Sequence, residues 1–341
     1  TKQELVAYAC GGPTDDHECI NFEDAFIRLR NGMSVLVREG STEHNLDPII
    51  KGVVAEKLET RNLMFCTDDK HPDDIIINGH INYMVNRSIE LGIPPIQAIQ
   101  MASLNAAQHF HIDHLVGSLT PGRWADIILS EKLDVIVPKD VFVKGELVAH
   151  DGSLVVSSPN RKYPDWICKT VNIINGNKPN DFKLIQDGKS VQVHVIKLYT
   201  DQIINEIEEA TLSIENSDVT SDPKQDVLKI AVVERYGKNG GIGIAFVKGF
   251  GLQQGALASS VAHDHHNIIV VGTNNEDMAV CVRAIEDMQG GLVVASEGKV
   301  LGQLPLPIGG LLSERPAPEI ISELKNITDI SKQLGGKLPA P

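Results

Sequence analysis

Thr14-Asp15-Asp16-His17-Glu18, near the start of the chain, and Cys66-Thr67-Asp68-Asp69, after the apolar run Leu63-Met64-Phe65, decide the reading of the fold. Each places a side chain able to bind a metal or move a proton where an apolar segment meets a loop. The two motifs lie roughly fifty residues apart, about the length of one or two β-α units, and barrel enzymes collect their catalytic groups at strand C-terminal ends. An active-site His and an active-site Asp on successive strands of a (β/α) barrel have this pattern.

The segments around the motifs alternate. Phe22, Ala25, Phe26 and Leu29 form a helical stripe, with Asn21 as N-cap and Asn31-Gly32 as the stop. Residues 32–38 read as a short buried strand, 46–58 as a second helix and 63–66 as a strand. Residues 73–91 read as one long helix and 95–109 as another. Alternation of this kind predicts parallel strands joined by crossovers. Two or three β-α units are visible, whereas a closed barrel needs eight. The segment is therefore expected to be roughly the last third of a barrel.

After His114 the pattern changes. Residues 117–122 (GSLTPG) are turn chemistry, residues 126–129 and 141–143 read as strands, and Lys144-Gly145-Glu146 is a tight turn into Leu147-Val148. From about Pro159 a different domain is expected, with strands at 191–198, 228–234, 243–248, 267–271 and 291–295 and helices at 275–288 and 317–334. Residues 292–296 and 300–304, joined by Glu297-Gly298-Lys299, read as a hairpin. The expected domains are thus 1–115, 116–158 and 159–341.

Composition narrows the function. The 341 residues carry a formal net charge of −14 and only 4% aromatics. That argues against a nucleic-acid polymer or an anionic membrane surface as partner. The five cysteines form no C-x-x-C pair, which suggests reduced thiols in a cytoplasmic protein. The chain opens on Thr1 rather than Met, and we expect that Thr1 is not a natural start.

Several residues carry candidate chemistry. His17 lies among Asp15, Asp16 and Glu18, and a neighbouring carboxylate can orient an imidazole. The bland alternative is an exposed acidic loop. Asp68 at a strand end can ligate a metal and shuttle a proton, or it can cap the next helix. Arg38 and Glu39 end the intervening strand at the same rim, as substrate contacts or as a structural ion pair. In the second half, His263-Asp264-His265-His266-Asn267 is the densest polar cluster. Adjacent strand residues face opposite ways, so at most His263 with His265, or Asp264 with His266, converge there. A metal, substrate-proximal or interface role stays open for this cluster. Gly249-Phe250-Gly251 and Gly255 have the wrong spacing for a dinucleotide loop and read as turn glycines.

Taken together these stretches resemble bacterial and archaeal adenine deaminase of the amidohydrolase superfamily. The barrel and flank carry residues 14–19 (TDDHEC), 33–41 (MSVLVREGS), 66–74 (CTDDKHPDD), 101–107 (MASLNAA), 117–126 (GSLTPGRWAD) and 143–148 (VKGELV). The narrower likeness rests on residues 242–251 (IGIAFVKGFG), 256–273 (ALASSVAHDHHNIIVVGT) and 290–310, which contains LPLPIGG.

The resemblance implies an α/β protein: the C-terminal part of a metal-dependent (β/α)8 amidohydrolase barrel, a small β-sandwich flank and a C-terminal α/β (α+β) domain. It implies hydrolysis of adenine to hypoxanthine and ammonia by metal-activated water, with Mn2+ or Fe2+, binuclear in the full-length enzyme, and a homodimer. On that map His17 and Asp68 are metal ligands, and His17, Glu18 and Asp68 are catalytic. Arg38, Glu39, His263, Asp264 and His266 would be substrate-proximal. The family's His-X-His of strand one and the carboxylate of strand four have no counterpart in the stretches that carry the resemblance, so the expectation is a fragment with no deaminase activity by itself. The alternatives are another cyclic-amide or amidine amidohydrolase, or a non-catalytic remnant or accessory subunit.

Overall fold

A computed structural model describes residues 2–157, 162–200 and 202–338. The chain divides into two compact units, Thr1–Asn160 with Asp201–Ile203, and Arg161–Thr200 with Ile204–Pro341.

The first unit opens with α1 (Lys2–Cys10), which the sequence pattern does not announce, followed by β1 (Asp15–Asp16), α2 (Phe22–Arg30), β2 (Ser34–Arg38), α3 (Leu46–Ala55) and β3 (Leu63–Cys66). The three strands form one parallel sheet in the order β1-β2-β3, with Val35 opposite Leu63 and Arg38 opposite Cys66. Val35 and Val37 of β2 and Leu63 of β3 are fully buried against Ile49, Ile50 and Val53 of α3 and Met84 and Met101 beyond it. Near-continuous apolar strands are what a parallel sheet buried under helices requires.

The expected long helix over 73–91 is instead two, α4 (Pro72–Asn78) and α5 (Ile81–Glu90). Gly79 sits between them at φ +95°, a conformation that ends a helix, and Asn82 Oδ1 accepts from His80 N at 2.9 Å to start the next. The expected helix over 95–109 is likewise α6 (Pro95–Ala102) and α7 (Leu104–His109). The break is Ser103, whose backbone leaves the helical region and whose hydroxyl donates to Ile99 O at 2.6 Å.

Four antiparallel strands follow, β4 (Ile127–Leu129), β5 (Asp140–Val143), β6 (Glu146–His150) and β7 (Ser153–Leu154), paired in sequence order. One register row crosses all four as Ile128, Val141, Ala149 and Leu154. This row is wholly apolar, yet Ile128 is 57% and Leu154 70% exposed.

The second unit is built on a nine-stranded sheet. Its strands are β8 (Ser190–Leu198), β9 (Asn205–Glu215), β10 (Asp218–Val219), β11 (Val227–Val233), β12 (Ile242–Lys248), β13 (Ala256–Ser259), β14 (Ile268–Gly272), β15 (Gly291–Ser296) and β16 (Lys299–Pro305). The spatial order is β10-β9-β8-β12-β11-β14-β13-β15-β16, and every pairing but β8 with β12 is antiparallel. Helices α8 (Asn275–Asp287) and α9 (Ala317–Gln333) cover opposite faces. The period-two rule sorts the strands between them. Ala256, Ala258, Val293 and Ala295 turn to α8, whereas Leu257, Leu292 and Val294 turn to α9. Small residues on the first face let α8 approach closely. The hairpin β15–β16 turns on Glu297-Gly298, both with positive φ, as a two-residue turn demands. None of the described helices is long and apolar enough to cross a membrane.

Candidate functional site

β1 is only two residues long, so its ladder to β2 is short and side chains must hold its end. Asp15 Oδ2 lies 2.7 Å from His109 Nε2 on α7. Asp16 Oδ2 accepts from Arg28 Nε of α2 at 2.6 Å, and its other oxygen accepts from Glu18 N at 2.8 Å. The two aspartates are thus anchors for the strand end, which delivers His17 just beyond it.

β3 ends two residues before Asp68, whose φ of +50° lies in the left-handed region. Aspartate tolerates that region better than most residues, and such outliers gather at functional sites. Asp68 does not cap the following helix: the N-cap of α4 is His71, and Pro72 occupies N1.

The two strand ends converge. His17 Nε2 is 3.6 Å from Asp68 Oδ2 and 3.3 Å from Glu18 Oε1. Between the carboxylates lies Arg38 of β2, only 2% exposed. Its Nη1 donates to Glu18 Oε2 at 2.9 Å and to Asp68 Oδ2 at 3.2 Å. Its Nη2 donates at 3.1 Å to Oδ1 of Asn45, which is fully buried. Burial works against the charged guanidinium, but Glu18 and Asp68 outweigh it and raise its pKa above the ordinary value.

Glu39 turns inward as well. It is 7% exposed, its Oε1 lies 2.8 Å from His44 Nδ1, and its Oε2 accepts from Leu46 N at 3.2 Å. It thereby serves one of the orphan amides at the start of α3, in place of Asn45, whose side chain makes no capping bond. Around the rim, Thr67 Oγ1 lies 3.2 Å from His80 Nε2, and Lys70 Nζ donates to Gly40 O at 3.2 Å.

His17 and Asp68 are an imidazole nitrogen and a carboxylate oxygen close enough to share one divalent ion, whose bonds to such donors run about 2.0–2.2 Å. By donor type and spacing they fit two corners of a shell. They do not complete one: among the described residues no group of three His, Cys, Asp or Glu is placed to hold a metal. Arg38 also occupies the same Asp68 oxygen.

The second unit holds the other sequence-expected residues, on the loop between β13 and β14. His263, Asp264 and His265 are exposed and His266 is half-buried. The rings of His263 and His266 meet edge to face, 5.0 Å between centroids. Burial, and then the neighbouring His263 and Arg235, lower the His266 pKa. The residues that sequence reasoning missed are His109, Asn45 and Arg235. His109 lies in a segment read only as helical, Asn45 just before the helix expected at 46–58, and Arg235 just after the strand expected at 228–234, so nothing local flagged them.

Two family models match the chain. Residues 28–148 match the amidohydrolase family, and residues 202–341 match the adenine deaminase C-terminal domain. An adenine deaminase from Desulforamulus reducens is 49% identical over 338 residues, covering 99% of this chain and 58% of the relative. The chain is homologous to the adenine deaminases. A second, from Methanococcoides burtonii, is 41% identical over 343 residues, covering 100% of this chain and 57% of that one. A third, from Desulfatibacillum aliphaticivorans, is 41% identical over 339 residues. The kinship expected from the motifs is borne out from end to end, and the chain spans less than three-fifths of the length of these deaminases. A solved amidohydrolase from Thermotoga maritima aligns with 40% of this chain at 15% identity and a TM-score of 0.25, a likeness too slight to bear on the fold.

Proposed function

We propose that this chain is the C-terminal part of a cytoplasmic adenine deaminase, and that His17, Glu18 and Asp68 are its share of the catalytic centre. The observation that carries the reading is the convergence of His17 and Asp68 from two strand ends to 3.6 Å. The reaction adds water to the amino-bearing carbon of adenine and releases ammonia, leaving hypoxanthine. A divalent ion, Mn2+ or Fe2+ and binuclear in the complete enzyme, would supply the lowered water pKa that such hydrolysis needs.

The chain's own residues do the rest of the work. Asp68 takes a proton from the water and returns it to the departing amine, a carboxylate's ordinary general acid–base role. Arg38 fixes Asp68 and Glu18 relative to each other through one shared nitrogen. Glu18 flanks the imidazole of His17 and steadies it. Arg38 and Glu39 border the substrate and serve it mainly by positioning, since both are buried. His263, Asp264 and His266 form a second, substrate-proximal group on the other unit.

The domain reading follows the same lines. The parallel strands β1–β3 are the last part of a (β/α) barrel over residues 1–115, and β4–β7 are a β-sandwich flank over 116–158. The exposed apolar row from Ile128 to Leu154 supports the flank reading, because such a face is normally covered by a second layer. Residues 159–341 form the C-terminal domain, and the complete enzyme is a homodimer. Because the described residues complete no metal shell, the reading is that the chain by itself does not deaminate adenine.

The test compares ammonia release from adenine by the purified chain and by the same chain extended with the remaining portion of a 49%-identical relative, each with added Mn2+ or Fe2+. Activity only in the extended protein, lost in Asp68→Asn, is the expected result. Turnover by the chain alone would sink the fragment reading. An extended enzyme indifferent to Asp68→Asn would sink the site.

A further inference from the structure

A buried arginine without an acid lies beneath the histidine loop of the second unit. Arg235 is 1% exposed, and among the described residues no carboxylate pairs with it. Its guanidinium is shared among three backbone oxygens and one hydroxyl. Nε donates to His266 O, Nη1 reaches Thr170 Oγ1 at 3.2 Å and Thr170 O at 3.4 Å, and Nη2 donates to Gly309 O at 3.0 Å. The Tyr236 ring stacks 4.7 Å from the guanidinium carbon.

A buried charge lacking a counter-charge is expensive, and an apolar residue of similar size would be cheaper. The fold accepts that cost where three segments remote in sequence meet: the one at Thr170, the loop at 263–267 and the turn at Gly309-Gly310. Two of them are shaped to allow it. Gly310 has φ +76°, and a Cβ there would run into the guanidinium. His266 has φ +49° and an amide that donates to Ala262 O at 2.6 Å. Two further side chains lock the same region. The Tyr236 hydroxyl lies 3.1 and 3.2 Å from the carbonyls of His265 and His266. Buried Ser260 donates to Gly310 O at 2.6 Å and accepts from Gly291 N at 2.7 Å.

The loop is therefore tied through its backbone while His263, Asp264 and His265 stay exposed. Among the described residues His266 Nδ1 is buried without a hydrogen-bond partner, so packing and the backbone, not this nitrogen, hold the ring. Fixed backbone under accessible side chains is what a preorganised site needs.

We propose that Arg235 is a positioning residue that holds the 263–267 loop in one conformation, so that its histidines are presented in fixed relation to each other. What the loop is held for rests on its proposed substrate-proximal role; that it is held by Arg235 does not. The motifs around 263–267 and 304–310 are then two ends of one device, joined by a side chain that neither contains.

The experiment is backbone hydrogen exchange on the whole chain, comparing the parent with Arg235→Lys and Arg235→Gln. An ammonium keeps the charge but cannot serve three segments at once, so both variants should speed exchange at 263–267 by about tenfold or more, while amides in β11, β13 and β14 keep their protection. Unchanged exchange at 263–267, or acceleration shared equally by every protected amide, overturns the proposal; the second result would make Arg235 a general stabiliser. If neither variant folds, Thr170→Val decides. It removes one acceptor only, and should speed the loop by a few-fold; no change overturns the proposal. The loop's purpose is tested separately, by the adenine KM of His263→Asn in the extended enzyme, so either idea can fail alone.

Discussion

His17 Nε2 and Asp68 Oδ2 lie 3.6 Å apart at the ends of two strands that do not touch each other, because β2 runs between β1 and β3. The spacing is set from below by the residue that ends the middle strand. Arg38 reaches Glu18 on one side and Asp68 on the other through a single nitrogen, and its other amino group is moored on Asn45.

Arg38→Met should therefore loosen both strand ends together. Glu18 and Asp68 are partly exposed and can rehydrate, but the Asn45 side chain is fully buried and loses its donors. An unsatisfied buried acceptor with two released carboxylates costs about 2–3 kcal/mol. Hydrogen exchange of the β2 and β3 amides reads this directly. Glu18→Gln, at a half-exposed position, should cost less than about 1 kcal/mol. A small effect of Arg38→Met would mean that the strand ends hold themselves.

Much of this unit was legible because its signals are local. The span of α2 follows from Asn21, whose side chain accepts from Asp24 N, and from the Phe22, Ala25, Phe26 and Leu29 stripe; β3 follows from its uninterrupted apolar run. Gly79 was legible as a glycine but not as a break, because a glycine within a helical pattern is often tolerated. β9 went unread because Glu206, Glu208 and Glu209 look like a solvated stretch. In the fold Glu208 is placed between Lys197 at 2.7 Å and Lys248 at 3.2 Å, pairs that exist only once the strands are side by side. The same limit hid the roles of Arg38 and Glu39. Sequence spacing puts them at the rim of the strands, and only packing decides whether such side chains turn to substrate or to the protein.

Acid should weaken the first unit through Asp47. Arg87 of α5 grips this α3 carboxylate with two nitrogens, at 2.8 and 2.6 Å, and holds its pKa down at about 2. A carboxylate with a depressed folded-state pKa contributes stability that is present above its unfolded value near 4 and is lost as pH falls through 2. With the pair about one-third exposed, screening leaves about 1 kcal/mol. Arg87→Gln should flatten the stability profile of α3 and α5 between pH 4 and about 2, followed by circular dichroism during acid titration. An unchanged profile would show that the pair is not worth its geometry in water.

The second unit has its own ion pair, buried and fully bonded. Lys229 Nζ, on the central strand β11, lies 3.0 Å from Asp218 Oδ1 and also donates to Phe182 O and to Asn275 Oδ1 at the start of α8. Burial lowers the Lys229 pKa, against the pull of Asp218. Lys229→Met leaves Asp218 buried without its cation and should cost about 3–5 kcal/mol. Adding Asp218→Asn should recover part of that, because the amide oxygen can keep the bond from Leu184 N, and its NH2 can donate to Asn275 Oδ1, freed of Lys229, once the Asn275 amide turns over. Denaturant midpoints of the two variants decide it; equal midpoints would place the loss in packing rather than in charge.

Gly52 of α3 sets two ordinary rules against each other. In a helix interior, glycine to alanine should stabilise by about 1 kcal/mol, since glycine loses the most backbone freedom on folding. Here a Cβ would run into the ring of Phe22, which stacks on Phe26 at 5.5 Å and brings α2 against α3. The ring cannot step aside without giving up that stacking and uncovering Ala25, which is fully buried beside it. Overpacking of this kind costs about 1–3 kcal/mol, so the clash outweighs the propensity gain and Gly52→Ala should destabilise. Phe22→Leu in the same background should return most of the loss, because a smaller side chain frees the space. If Gly52→Ala instead raises the midpoint, the two helices are not packed through this pair, and the anchor that Arg28 gives to Asp16 from α2 would need another foundation.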